Sequence, residues 1–237
     1  MVVALIIAGG RGQRMGADIP KQFVKVYGKP VLFYTLEAFQ ASPIVDAIAL
    51  VCIDGWHETV RAYANQYNLT KLKWLFNGGD SAQESIRNGV YALESYCKAT
   101  DIVVIHDGVR PLVDSAVLDD VISLASVEGN AVSSMPYNEQ IFLIDESQPQ
   151  TTTAYIPRER LRRVSTPQAY QFGLLNQKYH EAFEKKIGIF GSSYTNTMMV
   201  ELGVRLNFAA GSDRNIKLTT RADIDIFKAL LDLEQRG

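Results

Sequence analysis

Cysteine is scarce in this 237-residue chain: Cys52 and Cys97 are the only two, too few and too far apart for a disulfide framework or a metal knuckle. The three histidines, His57, His106 and His180, lack zinc-ligand spacing, so no histidine-rich metal centre is expected. An excess of charge of one sign is missing too. The formal net charge is −2 and the lysines and arginines are dispersed, which offers no broad basic field for nucleic acid. No apolar run approaches the length of a membrane span, and the apolar N-terminal stretch lacks a basic leader, so no membrane anchor and no cleaved signal are expected. A reducing cytoplasm fits these absences. What remains is ordinary for a globular enzyme: 47% hydrophobic and 21% charged residues, in a length that suits one α/β domain spanning 1–237.

Against that plain background the first thirty residues stand out. The apolar run Val2 to Ala8 breaks into Gly9-Gly10-Arg11-Gly12-Gln13-Arg14-Met15-Gly16 and then reaches Pro20-Lys21-Gln22-Phe23. A buried strand opening into glycines lets backbone N–H groups approach a ligand, and Arg14 and Lys21 supply cations to the same loop. The combination suits a polyphosphate; the plainer alternative is a glycine turn between strand and helix with solvated charges. Gly10, Gly12 and Gly16 do not make the G-x-G-x-x-G of dinucleotide sites, and no Gly-Lys-Ser/Thr follows as in a Walker loop.

The periodicity predicts an α/β protein. Val2–Ala8, Ala47–Ile53, Ile102–Ile105 and Ala131–Met135 are short apolar runs bounded by Gly, Asp or Pro, as in strands buried on both faces. Helical patterns alternate with them, which points to a mostly parallel central sheet. One helix starts near Pro30 and carries Leu32, Leu36 and Phe39; another covers Trp56 to Tyr67. A third follows Ser81-x-x-Glu84, a capping-box pattern, with Ile86, Val90 and Leu93 on one stripe. Ser115 is the expected cap of a helix reaching Ala125, and the last helix spans Thr220 to Leu233 with Ile224, Phe227 and Leu231 inward. Between them the pattern fails. Residues 136–157, with Pro136-Tyr137-Asn138, Ser147-Gln148-Pro149-Gln150 and a short Ile141-Phe142-Leu143-Ile144 run, read as a β-arm protruding from the sheet.

Asp107 ends the apolar run 102–105 at the place where ligands bind in open α/β sheets, and it is the natural magnesium ligand there. Capping of the following turn is its structural alternative. His106 reads as a packing residue rather than a base, and Lys217, taken alone, as a solvent-exposed cation before a helix.

The series Ala8-Gly9-Gly10-x-Gly12-x-Arg14-Met15-Gly16, Pro20-Lys21-Gln22-Phe23 and Gly28-Lys29-Pro30 resembles the nucleotide-binding signature of the CTP-dependent cytidylyltransferases that act on methylerythritol phosphate and ribitol phosphate. The likeness continues along nearly the whole chain. His106-Asp107-Gly108-Val109-Arg110-Pro111 is similar to the family's His-Asp-x-x-Arg-Pro, Asn215-Ile216-Lys217-Leu218-Thr219 to its Asn-Ile-Lys-x-Thr, and Thr166-Pro167-Gln168 to its Thr-Pro-Gln. The resemblance implies a Rossmann-like, GT-A-type three-layer nucleotidyltransferase sandwich. It also implies catalytic roles for Arg14, Lys21 and Lys217, and CTP binding by Ala8, Gly9, Gly10, Gly12, Gly79, Asp80, Ser85 and Asp107. Acceptor binding falls to Arg110, Arg158, Thr166 and Gln140. Mg2+ on Asp107 and a homodimer joined through the 136–157 arm complete the implied picture.

Three departures bear on the acceptor or the base. Ala82 stands where an arginine is common, Glu139-Gln140 replaces an Asp-Thr pair, and Thr195-Asn196 replaces a Thr-Asp pair. Glu139-Gln140, with Gly9 and Val109, favours a polyol or sugar phosphate such as ribitol 5-phosphate as the acceptor that receives CMP as pyrophosphate leaves; methylerythritol phosphate is the alternative. Two rivals belong to other classes. A dinucleotide-dependent oxidoreductase would need the missing G-x-G-x-x-G, and a non-catalytic nucleotide-binding module would be expected to lack one of Arg14, Lys21, Asp107 or Lys217, all of which are present.

Overall fold

The computed structural model describes residues 1–10, 19–191 and 194–234. The expected cationic residue Arg14 and the expected loop residue Gly12 lie outside the described residues. Among those described, a seven-stranded sheet forms the middle layer. Its strands are β1 (Val2–Ala8), β4 (Ala47–Cys52), β5 (Leu72–Asn77), β6 (Ile102–Asp107), β7 (Asn130–Pro136), β10 (Arg162–Gln171) and β11 (Phe208–Ala210), and their spatial order is β11-β7-β10-β6-β1-β4-β5. Only β10 runs against its neighbours, pairing antiparallel with β6 and β7.

Alternation along the central strands builds the two cores. Ala4, Ile6 and Ala8 of β1 and Ile48, Leu50 and Cys52 of β4 face one side, where α1 (Val31–Ala41), α2 (His57–Gln66) and α4 (Ser115–Glu128) pack through Phe33, Phe39, Val60 and Val121. Val3, Leu5, Ala49 and Val51 face the other, against α3 (Ala82–Ala92), α5 (Phe172–Lys185) and α6 (Thr195–Glu201), which contribute Ile86, Val90, Tyr179 and Met198. Every residue of β4 is buried, as a strand covered on both faces requires. A Cβ at Gly89 of α3 would come within 2.7 Å of Val51 and 2.8 Å of Leu5, so glycine is what lets this helix lie so close to the sheet. A third cluster joins α7 (Arg221–Glu234) through Ile224 and Phe227 to Val31 and to the small hairpin β2 (Lys25–Val26) and β3 (Lys29–Pro30).

Residues 136–157 leave the sheet as expected. Within them β8 (Ile141–Leu143) and β9 (Ala154–Ile156) pair antiparallel in a separate two-stranded ribbon. Phe142, Leu143, Ile144 and Tyr155 on this ribbon are all more than half exposed. One expected cap shifts by a residue: Asp114, not Ser115, closes α4, its carboxylate accepting from the Ala116 N–H at 2.9 Å.

The chain path creates a switch point. From β1 it proceeds outward to β4 and β5, then returns to β6 on the opposite side of β1, so the strand order reverses between β1 and β6, the place in an open α/β sheet where ligands bind at the C-terminal ends of the strands. Ile7 is level with Asp107 in the parallel register, which puts the first glycines and the carboxylate side by side at that mouth.

Candidate active site

Three segments meet at this mouth. The first is the glycine stretch after β1. The Gln22 side chain is buried and its Nε2 donates to the carbonyls of Ala8 (2.7 Å) and Gly10 (3.0 Å), bracketing Gly9. Tying both carbonyls inward fixes the path of the strand end. The same short turn, Lys21–Phe23, carries Lys21 and is anchored by Phe23, which stacks on Trp56 with ring centroids 4.2 Å apart. Gln22 stands in the quoted motif, yet its sequence gives no sign of this role, because a buried amide and an exposed one look alike until a partner is known.

The second segment is Gly78–Ser85. A Cβ on Gly9 would stand 2.8 Å from Ser85 Oγ and 3.1 Å from Gly78 Cα, so glycine at position 9 is required by the crossing of two backbones. Ser85 is buried; its hydroxyl accepts from the Gly79 N–H at 3.0 Å. Ser85 therefore supports this loop from behind. Ser81 and Glu84 complete the expected capping box, with bonds of 3.1 Å in both directions, and start α3 where Asp80 is exposed. Asp80 lines a cavity of about 310 Å³ together with Gln83, Phe183 and Phe190.

The third segment joins the end of β6 to residues 215–218. Arg110 Nε donates to Asp107 Oδ2 at 2.8 Å, and Lys217 Nζ approaches Oδ1 at 3.2 Å. The Leu218 N–H donates to the Val109 carbonyl at 2.9 Å, and Arg110 Nη1 to the Asn215 carbonyl at 2.8 Å, so backbone and side chain stitch the two segments together. Asn215 Nδ2 in turn holds the Thr166 carbonyl at 2.6 Å, while Thr166 Oγ1 accepts from the Asp107 N–H at 3.1 Å. Asp107, Arg110, Thr166 and Lys217, scattered over 110 positions, thus form one network. Burial alone would push the Asp107 carboxyl up, but Lys217 and then Arg110 outweigh it and hold the group down at about 2. Asp107 is ionised at any working pH.

His106 lies directly behind this network, fully buried against Phe39. Burial lowers it to about 4, so the ring is neutral and its Nε2 donates to the Arg110 carbonyl at 3.1 Å. It packs and orients, as its sequence context suggests. Arg110, Lys217, Asn215, Arg163, Ser165, Ser212 and Asp213 surround a cleft of about 260 Å³. Arg158 and Gln140 are not among the described residues lining it; both are exposed, Arg158 on the turn that follows the arm, where it pairs with Glu159 at 3.6 Å.

An open, mostly parallel sheet with an anchored glycine segment and a cation-flanked carboxylate at its switch point defines a Rossmann-like α/β domain of the nucleotidyltransferase class. The chain belongs to the IspD family, described as 2-C-methyl-D-erythritol 4-phosphate cytidylyltransferase, whose model matches residues 2–233. It is 53% identical over 231 residues to a ribitol-5-phosphate cytidylyltransferase of Lacticaseibacillus paracasei, with 98% of each chain covered. It is 33% identical over 231 residues to a 2-C-methyl-D-erythritol 4-phosphate cytidylyltransferase of Geotalea uraniireducens, covering 97% of this chain and 96% of that one. The fold also matches the crystal structure of 4-diphosphocytidyl-2C-methyl-D-erythritol synthase from Anaerococcus prevotii, with a TM-score of 0.82 at 21% identity over 98% of both chains.

Proposed function

We propose that this cytidylyltransferase moves CMP from CTP to ribitol 5-phosphate in the cytoplasm, releasing pyrophosphate and forming CDP-ribitol. The observation that carries the chemistry is one ionised carboxylate, Asp107, gripped by Arg110 and Lys217 beside the end of β1. The choice of acceptor is supported by the 53% identity to a ribitol-5-phosphate enzyme against 33% to a methylerythritol-phosphate enzyme, with Gly9 and Val109 pointing the same way.

The acceptor phosphate is already ionised near pH 7, so its oxygen attacks the α-phosphorus without a protein base, and the α–β phosphoanhydride bond breaks. Neutral, buried His106 is unsuited to that task in any case. What the protein contributes is alignment and positive charge where negative charge develops. Lys217 and Arg110 are pre-aimed by Asp107 and need little reorganisation when a triphosphate and an acceptor phosphate arrive. Lys21, on the turn anchored to the glycine segment by Gln22, and Arg14 complete the cationic set, while Ala8, Gly9 and Gly10 offer backbone to the nucleotide and Gly79 and Asp80 to its base.

Magnesium fits the donor set. It prefers one or two carboxylates plus phosphate oxygens and retained waters, and Asp107 is a single ionised carboxylate at the mouth; among the described residues no cluster of three or more candidate ligands competes with it. Asp107 would hold the ion together with triphosphate oxygens, where it would withdraw charge from the phosphoryl groups. Arg158 and Gln140 act from a second copy, brought over by the 136–157 arm.

The test is pyrophosphate release from CTP with a panel of acceptors. Turnover with ribitol 5-phosphate at least tenfold more efficient than with methylerythritol phosphate supports the reading. The reverse preference assigns the chain to the other branch, and no release with either overturns the reaction.

A further inference from the structure

The 260 Å³ cleft has a floor and a rim of different character. On the floor, Arg110 and Lys217 are committed to Asp107 and to the Asn215 carbonyl. The rim is formed by Arg163 of β10, Ser165, and Ser212 and Asp213 from the turn after β11. Alternation along β10 sends the adjacent arginines to different surroundings: Arg162 donates to Ser134 Oγ at 2.8 Å and covers the Phe208 ring, whereas Arg163 borders the cleft and pairs with Asp213.

That rim pair has unused hydrogen-bonding capacity. Among the described residues Arg163 is engaged only through Nη2, with Asp213 Oδ1 and with Met135 Sδ at 3.4 Å, which leaves Nε–H and Nη1–H to donate and Asp213 Oδ2 to accept. Both side chains are more than half exposed, at 52% and 72%, so the pair adds little to folding. A hydroxyl group both donates and accepts, and a guanidinium beside a carboxylate is matched to vicinal hydroxyls. We propose that Arg163 and Asp213 read the hydroxyls of the acceptor's polyol chain and so determine the length of acceptor the enzyme prefers. The inference rests on the functional reading above, and it concerns discrimination among acceptors rather than the chemical step.

The test compares ribitol 5-phosphate with erythritol 4-phosphate, one hydroxylated carbon shorter, in wild-type protein and in Arg163→Gln and Asp213→Asn. Loss of a hydrogen bond to a charged group on this scale should lower kcat/KM for ribitol 5-phosphate about tenfold. Erythritol 4-phosphate should change less than about threefold, and KM for CTP should hold, so the preference for the longer acceptor collapses. Equal losses for both acceptors, or no loss for either, overturns the assignment while leaving the reaction intact. A wild-type protein that turns over neither acceptor overturns the functional reading itself, and the assignment falls with it. Thermal unfolding of each variant separates a folding defect from a binding one, and the Arg163→Lys variant, which keeps the charge but loses the fork, should recover little of the preference.

Discussion

The cleft at the end of β6 and the arm at 136–157 solve opposite problems. In the cleft, charged groups are drawn out of water and every one of Asp107, Arg110 and Lys217 has its partner within the same chain. In the arm, large apolar side chains are pushed into water: Ile144 is 69% exposed and Tyr155 67%, on a ribbon whose two short strands pair, among the described residues, only with each other. The contacts of the first arrangement are made within one chain, whereas a two-stranded ribbon standing apart from the sheet has no core behind it. Folding of one chain therefore brings Asp107, Arg110 and Lys217 together, while it leaves the apolar side chains of the ribbon exposed.

The largest effect should come from removing a cation at the cleft. Lys217→Ala leaves Arg110 as the one cation paired with Asp107 among the described residues, and kcat should fall about a hundredfold or more, the scale for a lost transition-state donor. Lys21→Ala should fall by a similar amount. Steady-state kinetics with CTP and ribitol 5-phosphate checks both, and near-normal turnover in either would remove that lysine from the mechanism.

Acid should loosen the cleft well before it touches the arm. His106 is held neutral down to about 4 when folded but takes up a proton near 6.5 when unfolded, so the unfolded state binds more protons and stability declines as pH falls from 6.5 to 4. Asp107, folded at about 2 against 3.8 unfolded, continues the decline in the same direction. The histidine alone corresponds to about 3 kcal/mol. Chemical denaturation of the metal-free protein at pH 7 and pH 4.5 measures it, and His106→Gln should flatten the dependence; an unchanged slope would mean the ring is not the group responsible.

How much of this was legible depends on whether a pattern is local. The strands buried on both faces, β1, β4, β6 and β7, announce themselves as apolar runs, and the capping box of α3 is visible in Ser81 and Glu84 alone. β5 is an edge strand with Lys73 and Asn77 exposed, so its run Leu72–Asn77 carries no strong period. β10 hides behind Pro167, a residue that normally argues against a strand; it is tolerated where the pairing with β7 slips between Val164 and Gln168. α5 begins at Phe172 directly after β10, and Gly173, the one punctuating residue there, falls inside the first turn of the helix rather than between the two elements. In the site, Asp107 and Lys217 were each readable from motifs, but the network through Thr166 and Asn215 depends on contacts 49 and 59 residues apart that no spacing rule contains.

Gln22 sharpens the comparison on the nucleotide side. Replacing it with Met keeps its bulk and removes both donors, freeing the Ala8 and Gly10 carbonyls to turn toward the phosphates. KM for CTP should rise about tenfold, the equivalent of one net hydrogen bond, while KM for the acceptor stays within about twofold. Parallel increases in both constants would show that the loop moves the whole cleft.

The smallest effect on stability, and the most direct on assembly, should come from the arm. Phe142 and Tyr155 face each other in the β8–β9 register with ring centroids 6.3 Å apart, and neither touches the three core clusters. Exposed side chains of this kind can be changed at a cost of about 0.5 kcal/mol or less to the single chain. Phe142→Ser with Tyr155→Ser should therefore leave the unfolding midpoint of the monomeric form nearly unchanged. Sedimentation should nevertheless show a dimer giving way to a monomer, and KM for the acceptor should rise as Arg158 and Gln140 of the second copy are lost. A double variant that stays dimeric would return those two residues to their own chain, where neither lines the cleft.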